Sequence, residues 1–365
     1  MLAFAEYIWL DGSEPTQQLR SKMRVLNFTE GKVNLSAFPE WGFDGSSTYQ
    51  SSGHASDLIL QAVNFVCDPI RGEGNYLVMC EVMNADGTPH KTNTRAWLRE
   101  EMSQGAEKQD PWVGFEQEFT LFQNERPLGW PVNGYPAPQG PYYCAVGSDR
   151  MFGRDLSEAH AAACLDAGLA IYGTNAEVMP GQWEFQIGYR GLSTESADPL
   201  NMSDHLWMAR WLLSRLGEDM GITVNLSPKP VPGDWNGAGM HTNFSTKSTR
   251  DEKAGWTAIT QLVEAMSLLH KEHIAEYGSG LESRLTGSHE TCDINTFKMG
   301  ECDRGASIRI PEPVSKKRYG YIEDRRPGAN ADPYRVSARI LKTLNGIVKA
   351  KTVDEKKVVA TQITA

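Results

Sequence analysis

Glu116 and Glu118 stand one residue apart in the run Gly114-Phe115-Glu116-Gln117-Glu118-Phe119. Phe115, Phe119 and Leu121 read as one face of a strand, so both carboxylates project from the other, about 7 Å apart. Carboxylates at that spacing repel unless a cation sits between them. An isolated pair of this kind is an ordinary solvated strand face, but here the arrangement recurs. Trp183, Phe185 and Ile187 alternate with Gln182, Glu184 and Gln186, and Glu177 lies seven residues before Glu184 in Ala176-Glu177-Val178. His241, Asn243 and Ser245 alternate with Met240 and Phe244. Carboxylates and one imidazole on strands with apolar backs suit Mg²⁺ or Mn²⁺ better than zinc, which prefers fewer ligands and more nitrogen or sulfur.

A basic group follows downstream: Arg284, Arg304, Arg309, Arg325 and Arg326 fall within about forty residues. In Ala306-Ser307-Ile308-Arg309-Ile310 the arginine again opposes an apolar face. Glu323-Asp324-Arg325-Arg326-Pro327 sets acid beside base, so Glu323 can join the acidic cluster while an arginine faces an anion. A guanidinium grips a carboxylate or phosphate through two parallel hydrogen bonds. For any single arginine an ordinary salt bridge explains as much. An acidic cluster and an arginine cluster on one chain point to metal-chelated phosphate chemistry.

The elements that must carry these groups are legible in outline. Alternating segments near 4–10, 22–28 and 76–83 predict strands, with a turn at Ala85-Asp86-Gly87-Thr88. Thr94 is expected to cap a helix over 94–102, and the domain boundary is placed there, giving a small domain over 1–93 and a larger one over 94–351. Further helices are expected over 157–165, 199–220, 253–275 and 333–351, ended in two cases by Gly168 and Gly221. Residues 352–365 lack periodicity and are expected to form a loose tail. The strands between these helices alternate apolar and polar, as in an antiparallel sheet with one wet face and helices behind it. Residues 126–142, with five prolines and three glycines around Trp130 and Tyr135, read as an ordered loop.

The chain has 365 residues, 40% hydrophobic and 22% charged, which allows a large core and two domains. A net charge of −10 with no basic run argues against a nucleic-acid partner. Cys67, Cys80, Cys144, Cys164, Cys292 and Cys302 include no C-x-x-C pair, so neither a disulfide framework nor a zinc site is expected. Residues 1–7 lack the basic start and apolar run of a signal peptide, and no apolar stretch approaches the ~20 residues that span a bilayer. A cytoplasmic protein without a membrane partner is expected.

The motifs carry a resemblance. Phe43-Asp44-Gly45-Ser46-Ser47, Glu116-Gln117-Glu118, Asn236-Gly237-Ala238-Gly239-Met240-His241, Arg284-Leu285-Thr286-Gly287-Ser288-His289-Glu290 and Glu323-Asp324-Arg325-Arg326-Pro327 occur in the order seen in glutamine synthetases. Gln139-Gly140-Pro141-Tyr142-Tyr143-Cys144 is similar to the class II branch, found in eukaryotes and some bacteria. The resemblance spans about residues 36–345. It implies an α+β fold: a small β-grasp-like N-terminal domain and a larger catalytic domain with a curved antiparallel sheet backed by helices. It further implies condensation of L-glutamate with ammonium, using ATP and two or three Mg²⁺ or Mn²⁺ ions per site, through γ-glutamyl phosphate.

By the same resemblance, Glu118, Glu177 and Glu184 would hold the metal nearer the glutamate, and Glu116, His241 and Glu323 the metal on the ATP phosphates. Arg284 and Arg325 would grip the glutamate carboxylates, with Asn236 and Gly237 along its backbone. Arg304 and Arg309 would face the phosphates, Arg304 stabilising the transferring group, and Ser245 would lie near the nucleotide. Asp44 would deprotonate ammonium in a neighbouring subunit's site, and Glu290 would lie on a flap covering the acyl phosphate. That arrangement implies a homo-oligomer, in class II a decamer of two stacked pentameric rings. Two alternatives stay open here: a γ-glutamyl ligase taking an organic amine, and a non-catalytic relative of the same fold. The stretch Lys298-Met299-Gly300-Glu301-Cys302-Asp303 departs from the more apolar family pattern, and the first thirty residues match weakly.

Overall fold

The computed structural model describes residues 1–28 and 33–363, with side chains described as far as residue 350. Five strands open the chain: β1 (Leu2–Leu10), β2 (Leu19–Asn27), β3 (Trp41–Asp44), β4 (Asp57–Cys67) and β5 (Tyr76–Met83). They form one sheet in the order β2-β1-β5-β4-β3, in which only β1 and β5 are parallel. Period-two alternation splits this sheet between two cores. Tyr7 and Trp9 pack with Phe28, Phe38, Phe43 and Leu60, whereas Ile8, Leu10, Leu77 and Met79 join the core of the larger part of the molecule. The turn at 85–88 forms, with Asn84 N donating to Thr88 O at 2.8 Å, but it returns only a single bridge between Met83 and Pro89.

Next come α1 (Thr94–Ser103), β6 (Trp112–Gln123), β7 (Arg126–Pro127), α2 (Arg154–Ala167), β8 (Ile171–Ala176), β9 (Gln182–Ile187) and α3 (Pro199–Met220). The chain closes with β10 (Thr223–Asn225), β11 (Met240–Ser245), α4 (Gly255–Leu268), α5 (His270–Ile274), β12 (Met299–Glu301), β13 (Ile308–Ile310), α6 (Glu312–Lys317), β14 (Ile322–Asp324) and α7 (Pro333–Ile363). The second sheet runs β12-β13-β14-β11-β6-β9-β8, with β7 and β10 also paired to β6. It is antiparallel, as expected, except for the parallel pair β12–β13. Its dry face (Phe115, Phe119, Phe185, Ile187, Met240 and Phe244) is buried against Leu206, Trp207 and Leu213 of α3 and Tyr334 and Leu341 of α7. The fold is thus α+β, an antiparallel sheet with helices on one side.

The helix ends show where local signals were misread. Asn93, not Thr94, caps α1, its side chain accepting from Ala96 N at 3.0 Å. Ser157 lies inside α2, its hydroxyl 2.9 Å from that of Thr174. The helix expected over 253–275 breaks at Leu269 into α4 and α5, which lets His270 reach Ile294 O at 2.8 Å and His273 reach Thr343 at 2.9 Å. By contrast α3 has the expected bounds, because Asp198 accepts from Leu200 N and Asn201 N and Gly221 closes it with φ 63°. The last helix runs past 351 to Ile363, and residues 364–365 lie outside the described residues. All six cysteines are unpaired thiols. Among the described residues no helix is long and apolar enough to cross a membrane.

Candidate active site

The wet face of the second sheet is built by register. Glu118 pairs directly with Glu184 across β6 and β9, and Glu184 with Asn175 across β9 and β8. One step along, Glu116 lies opposite Gln186 on one side and His241 on the other. Glu323 on β14 lies between Asn243 of β11 and Arg309 of β13. Acids opposite one another on a strand pair destabilise it, so this face holds an electrostatic cost that ordinary sheet packing does not relieve.

Apart from Glu323 and Asn243, these side chains line a cavity of about 490 Å³, together with Glu177, Asn236, Gly237, Arg284, Glu290, Arg304, Arg309 and Arg325. Glu116, His241 and the buried Glu323 bring ligand atoms within 4.8 Å of one another, and so do Glu118, Glu184 and His241. Glu177 lines the cavity but belongs to neither group; its Oε1 accepts from Asn175 at 3.0 Å and its Oε2 from Val178 N at 3.3 Å. Burial, followed by the charge of Glu118, pushes the Glu177 carboxyl up to about 8. Burial raises Glu184 well above the carboxylate range, with Glu116, Glu118 and Glu177 adding to it. Glu118 is raised as well, by burial against the opposing pull of Arg284. Burial, then the charge of Arg325, holds His241 well below its usual value, hence neutral. Its Nδ1 is buried with no hydrogen-bond partner, 3.5 Å from Glu116 and 3.6 Å from Glu323. Mutually repelling carboxylates around an orphaned neutral imidazole nitrogen fit a hard divalent cation, whose charge would offset the repulsion.

The arginines surround the acids. Arg309 donates to Glu323 Oε2 at 2.6 Å and Arg325 to Glu323 Oε1 at 2.5 Å. Arg284 is 5% exposed, donates to the carbonyls of Arg325 and Arg326, and touches His241 Nε2 at 3.2 Å; burial lowers it to about 10. Arg304 is exposed at the cavity wall, and its carbonyl accepts from Arg325 Nε at 3.0 Å. Arg326 turns to the other side of β14 and does not line the cavity.

Two loops complete the walls. Asn236 is held reciprocally by Gln139 of the proline-rich loop, its backbone N donating at 2.9 Å and its side-chain oxygen accepting at 2.7 Å. Gln182 donates to Gly237 O at 2.9 Å. A Cβ at Gly237 would lie 2.5 Å from Pro228 O, so only glycine fits there. Across the cavity His289 and Glu290 both adopt left-handed backbone (φ 52° and 60°), with His289 Nε2 3.1 Å from Asp234 and Glu290 3.9 Å from Arg325.

Two expected residues lie away from this cluster altogether. Ser245 is buried at the far end of β11, its hydroxyl accepting from Arg250 at 2.9 Å. Asp44 is exposed in the first sheet, where it caps a short 3₁₀ turn and accepts from Ser46 and Ser47. The Ser46 hydroxyl, then that of Ser47, holds its carboxyl down to about 2. Sequence reading placed Gln186 and Asn243 on these faces without giving them a role, named Gln139 only within a motif, and did not single out Asn175. Alternation was the signal for Gln186 and Asn243, each two residues from Glu184 or His241 on the same strand face, whereas Asn175 sits across the register from Glu184.

Comparison with known proteins comes from three directions. The model of the glutamine synthetase beta-Grasp domain matches residues 1–85, and that of the glutamine synthetase catalytic domain matches residues 91–276. The chain is 54% identical over 350 residues to a chloroplastic glutamine synthetase of Chlamydomonas reinhardtii, covering 93% of this chain and 90% of that one. It is 55% identical over 341 residues to a glutamine synthetase of Streptomyces viridochromogenes, covering 93% and 96%. The fold is similar to that of the Plasmodium falciparum glutamine synthetase, with a TM-score of 0.74 at 17% identity over 95% of this chain and 72% of that one.

Proposed function

The chain belongs to the glutamine synthetase family, of the class II, eukaryotic type, and from that premise we propose how its side chains divide the work. The enzyme forms glutamine from glutamate and ammonia with ATP, and the family uses divalent metal. The observation that carries the residue-level reading is the convergence of two acidic groups on His241 in one cavity with Arg284, Arg309 and Arg325.

Glu116, His241 and Glu323 would hold one Mg²⁺ or Mn²⁺, and Glu118, Glu184 and Glu177 a second. Bound there, the cations would offset phosphate repulsion and stabilise the charge that develops as the phosphoryl group moves to the γ-carboxylate. His241 cannot serve a cation and Arg284 at once. A cation on Nδ1 requires the proton on Nε2, which turns an acceptor for the guanidinium into a second donor. Arg284 is thereby directed toward an anion, and with Arg325 it grips the glutamate carboxylates. Asn236 and Gly237, fixed by Gln139 and Gln182, shape the substrate backbone. Arg304 and Arg309 face the phosphates, with Arg304, the exposed one, stabilising the transferring group. Ser245 approaches a nucleotide only together with Arg250.

Ammonium carries no lone pair and must lose a proton before it attacks γ-glutamyl phosphate. In a single chain the Asp44 carboxyl, held near 2, suits cation binding better than proton removal. Burial in a neighbouring copy's site would raise it toward a working base, so the reading needs a homo-oligomer, a decamer of two pentameric rings by family analogy. Glu290, on backbone of left-handed φ, covers the acyl phosphate and keeps water out. The site is cytoplasmic on this reading.

The test is phosphate release from ATP with Mg²⁺ and glutamate, with and without ammonium, with glutamine quantified in parallel. One glutamine per phosphate and a strong ammonium dependence are expected. Turnover that ignores ammonium but follows an organic amine would refute the assignment of the ammonium site. Asp44→Ala should cut glutamine formation by roughly 10²-fold or more while sparing glutamate-dependent phosphoryl transfer; equal loss of both would remove Asp44 from the second step.

A further inference from the structure

Two amide side chains on the wet face are spent on the carboxylates rather than on the backbone. Gln186 Nε2 donates to Glu184 Oε1 and, at 2.7 Å, to Asn175 Oδ1. Asn175 Nδ2 in turn donates to Glu177 Oε1 at 3.0 Å. The result is a continuous chain, Glu184–Gln186–Asn175–Glu177, that joins two acids from β9 and from the loop after β8. Room for it is made by one glycine. Gly173 lies opposite Gln186 in the β8–β9 register, beside a bulge, and a Cβ there would sit 2.4 Å from Gln186 Oε1. The Gly173 backbone is not left-handed, so its lack of a side chain serves the space above it and not a strained φ.

We propose that Gln186 and Asn175 are positioning residues that hold Glu184 and Glu177 as one pre-set oxygen pair for a divalent cation, with Gly173 providing the space in which the bridge lies. This rests on assigning those carboxylates to a cation. The physical reason for a bridge is the repulsion between the two acids. Left to themselves they would swing apart in search of separate partners, and each cation bound would have to draw them back. An amide N–H on one oxygen, Oε1, of each carboxylate holds the pair together and leaves the remaining lone pairs for a cation. Partners of this kind behind a ligand are worth tenfold to a hundredfold in metal affinity.

The test is a Mn²⁺ titration, followed by electron paramagnetic resonance of the free ion, on metal-free enzyme of wild type, Gln186→Leu, Gly173→Ala and Glu184→Ala. Gly173→Ala retains every amide but pushes Gln186 off the bridge; because the group it meets is the end of a flexible side chain, the fold should survive, with metal-free melting close to wild type. Both Gln186→Leu and Gly173→Ala should weaken Mn²⁺ binding about tenfold or more, and the double variant should be no weaker than the worse single one, since both act through one bridge. In turnover, the half-saturating Mn²⁺ should rise while kcat at saturating metal stays within about twofold. Wild-type Mn²⁺ affinity in Gln186→Leu and Gly173→Ala, alongside a loss in Glu184→Ala, would overturn the bridge and leave the cation site standing. Wild-type affinity in all three, Glu184→Ala included, would overturn both. Additive losses in the double variant would also overturn the bridge.

Discussion

The second sheet holds buried charge on both of its faces, and the two faces are built on opposite principles. Behind the sheet, Asp324 is saturated: Arg326 donates to its two oxygens at 2.7 and 2.9 Å, and Tyr277 donates to it at 2.7 Å. Tyr277 is held in turn by His273, and Arg326 by His270. In front, Arg309 and Arg325 hold Glu323, but the acids beyond it have no such partner among the described residues: Glu177 and Glu184 are held far from their ordinary protonation by burial and by the charge of neighbouring acids, beside a histidine nitrogen with no partner. Both regions are buried, so the difference is not exposure. A buried charge with all its partners fixes structure, whereas a buried cluster short of positive charge is a binding site for it.

The contrast can be broken from either side. The largest effect is expected behind the sheet. Asp324→Ala strands the buried Arg326 and should cost about 3–5 kcal/mol of stability by denaturant unfolding; a loss below about 1 kcal/mol would show the rear pair to be dispensable. In front the sign should reverse. Glu184→Gln keeps the shape and removes the cost of burying an ionisable acid beside Glu116, Glu118 and Glu177, so the metal-free protein should gain on the order of 1 kcal/mol while losing Mn²⁺ affinity. A front variant that destabilised the metal-free protein would erase the distinction.

A pH dependence tests the front cluster independently of any substitution. The Glu177 carboxyl rises from 4.5 to about 8 on folding, so the folded state favours its protonated form. That contribution is full below about 4.5 and is lost as pH rises through 8. Metal-free melting should therefore fall over this range, and Mn²⁺ affinity should climb by up to tenfold per pH unit for each proton released. Melting that is flat from pH 5 to 8 without metal would argue that Glu177 is already ionised.

How much of this was legible in the chain follows from what sets each feature. Alternation alone placed Glu116, Glu118, Glu184 and His241 on wet strand faces, because side-chain direction in a strand is local. Cross-strand partners were not legible. That Glu118 meets Glu184, or that Glu323 lies between Asn243 and Arg309, depends on long-range register. Arg325 and Arg326 looked alike in sequence, and only the pleat sends one to the cavity and the other to Asp324. Gln186 was visible on the polar face but carried no role there, and Asn175 was not visible, because amides are ordinary residues on such a face and their significance appears only when Gly173 is seen to clear the space beside Gln186. Asn93 was passed over as the cap of α1 because Thr94 is itself a good cap residue. Cap identity at that resolution turns on one residue's φ/ψ.

The most direct test is a count of Mn²⁺ bound per chain, without nucleotide, in wild type, Glu184→Ala and Glu323→Ala. The account predicts more than one position in the wild type, with Glu184→Ala losing the position shared with Glu118 and Glu323→Ala the one shared with Glu116. An unchanged count and affinity in both variants would contradict it.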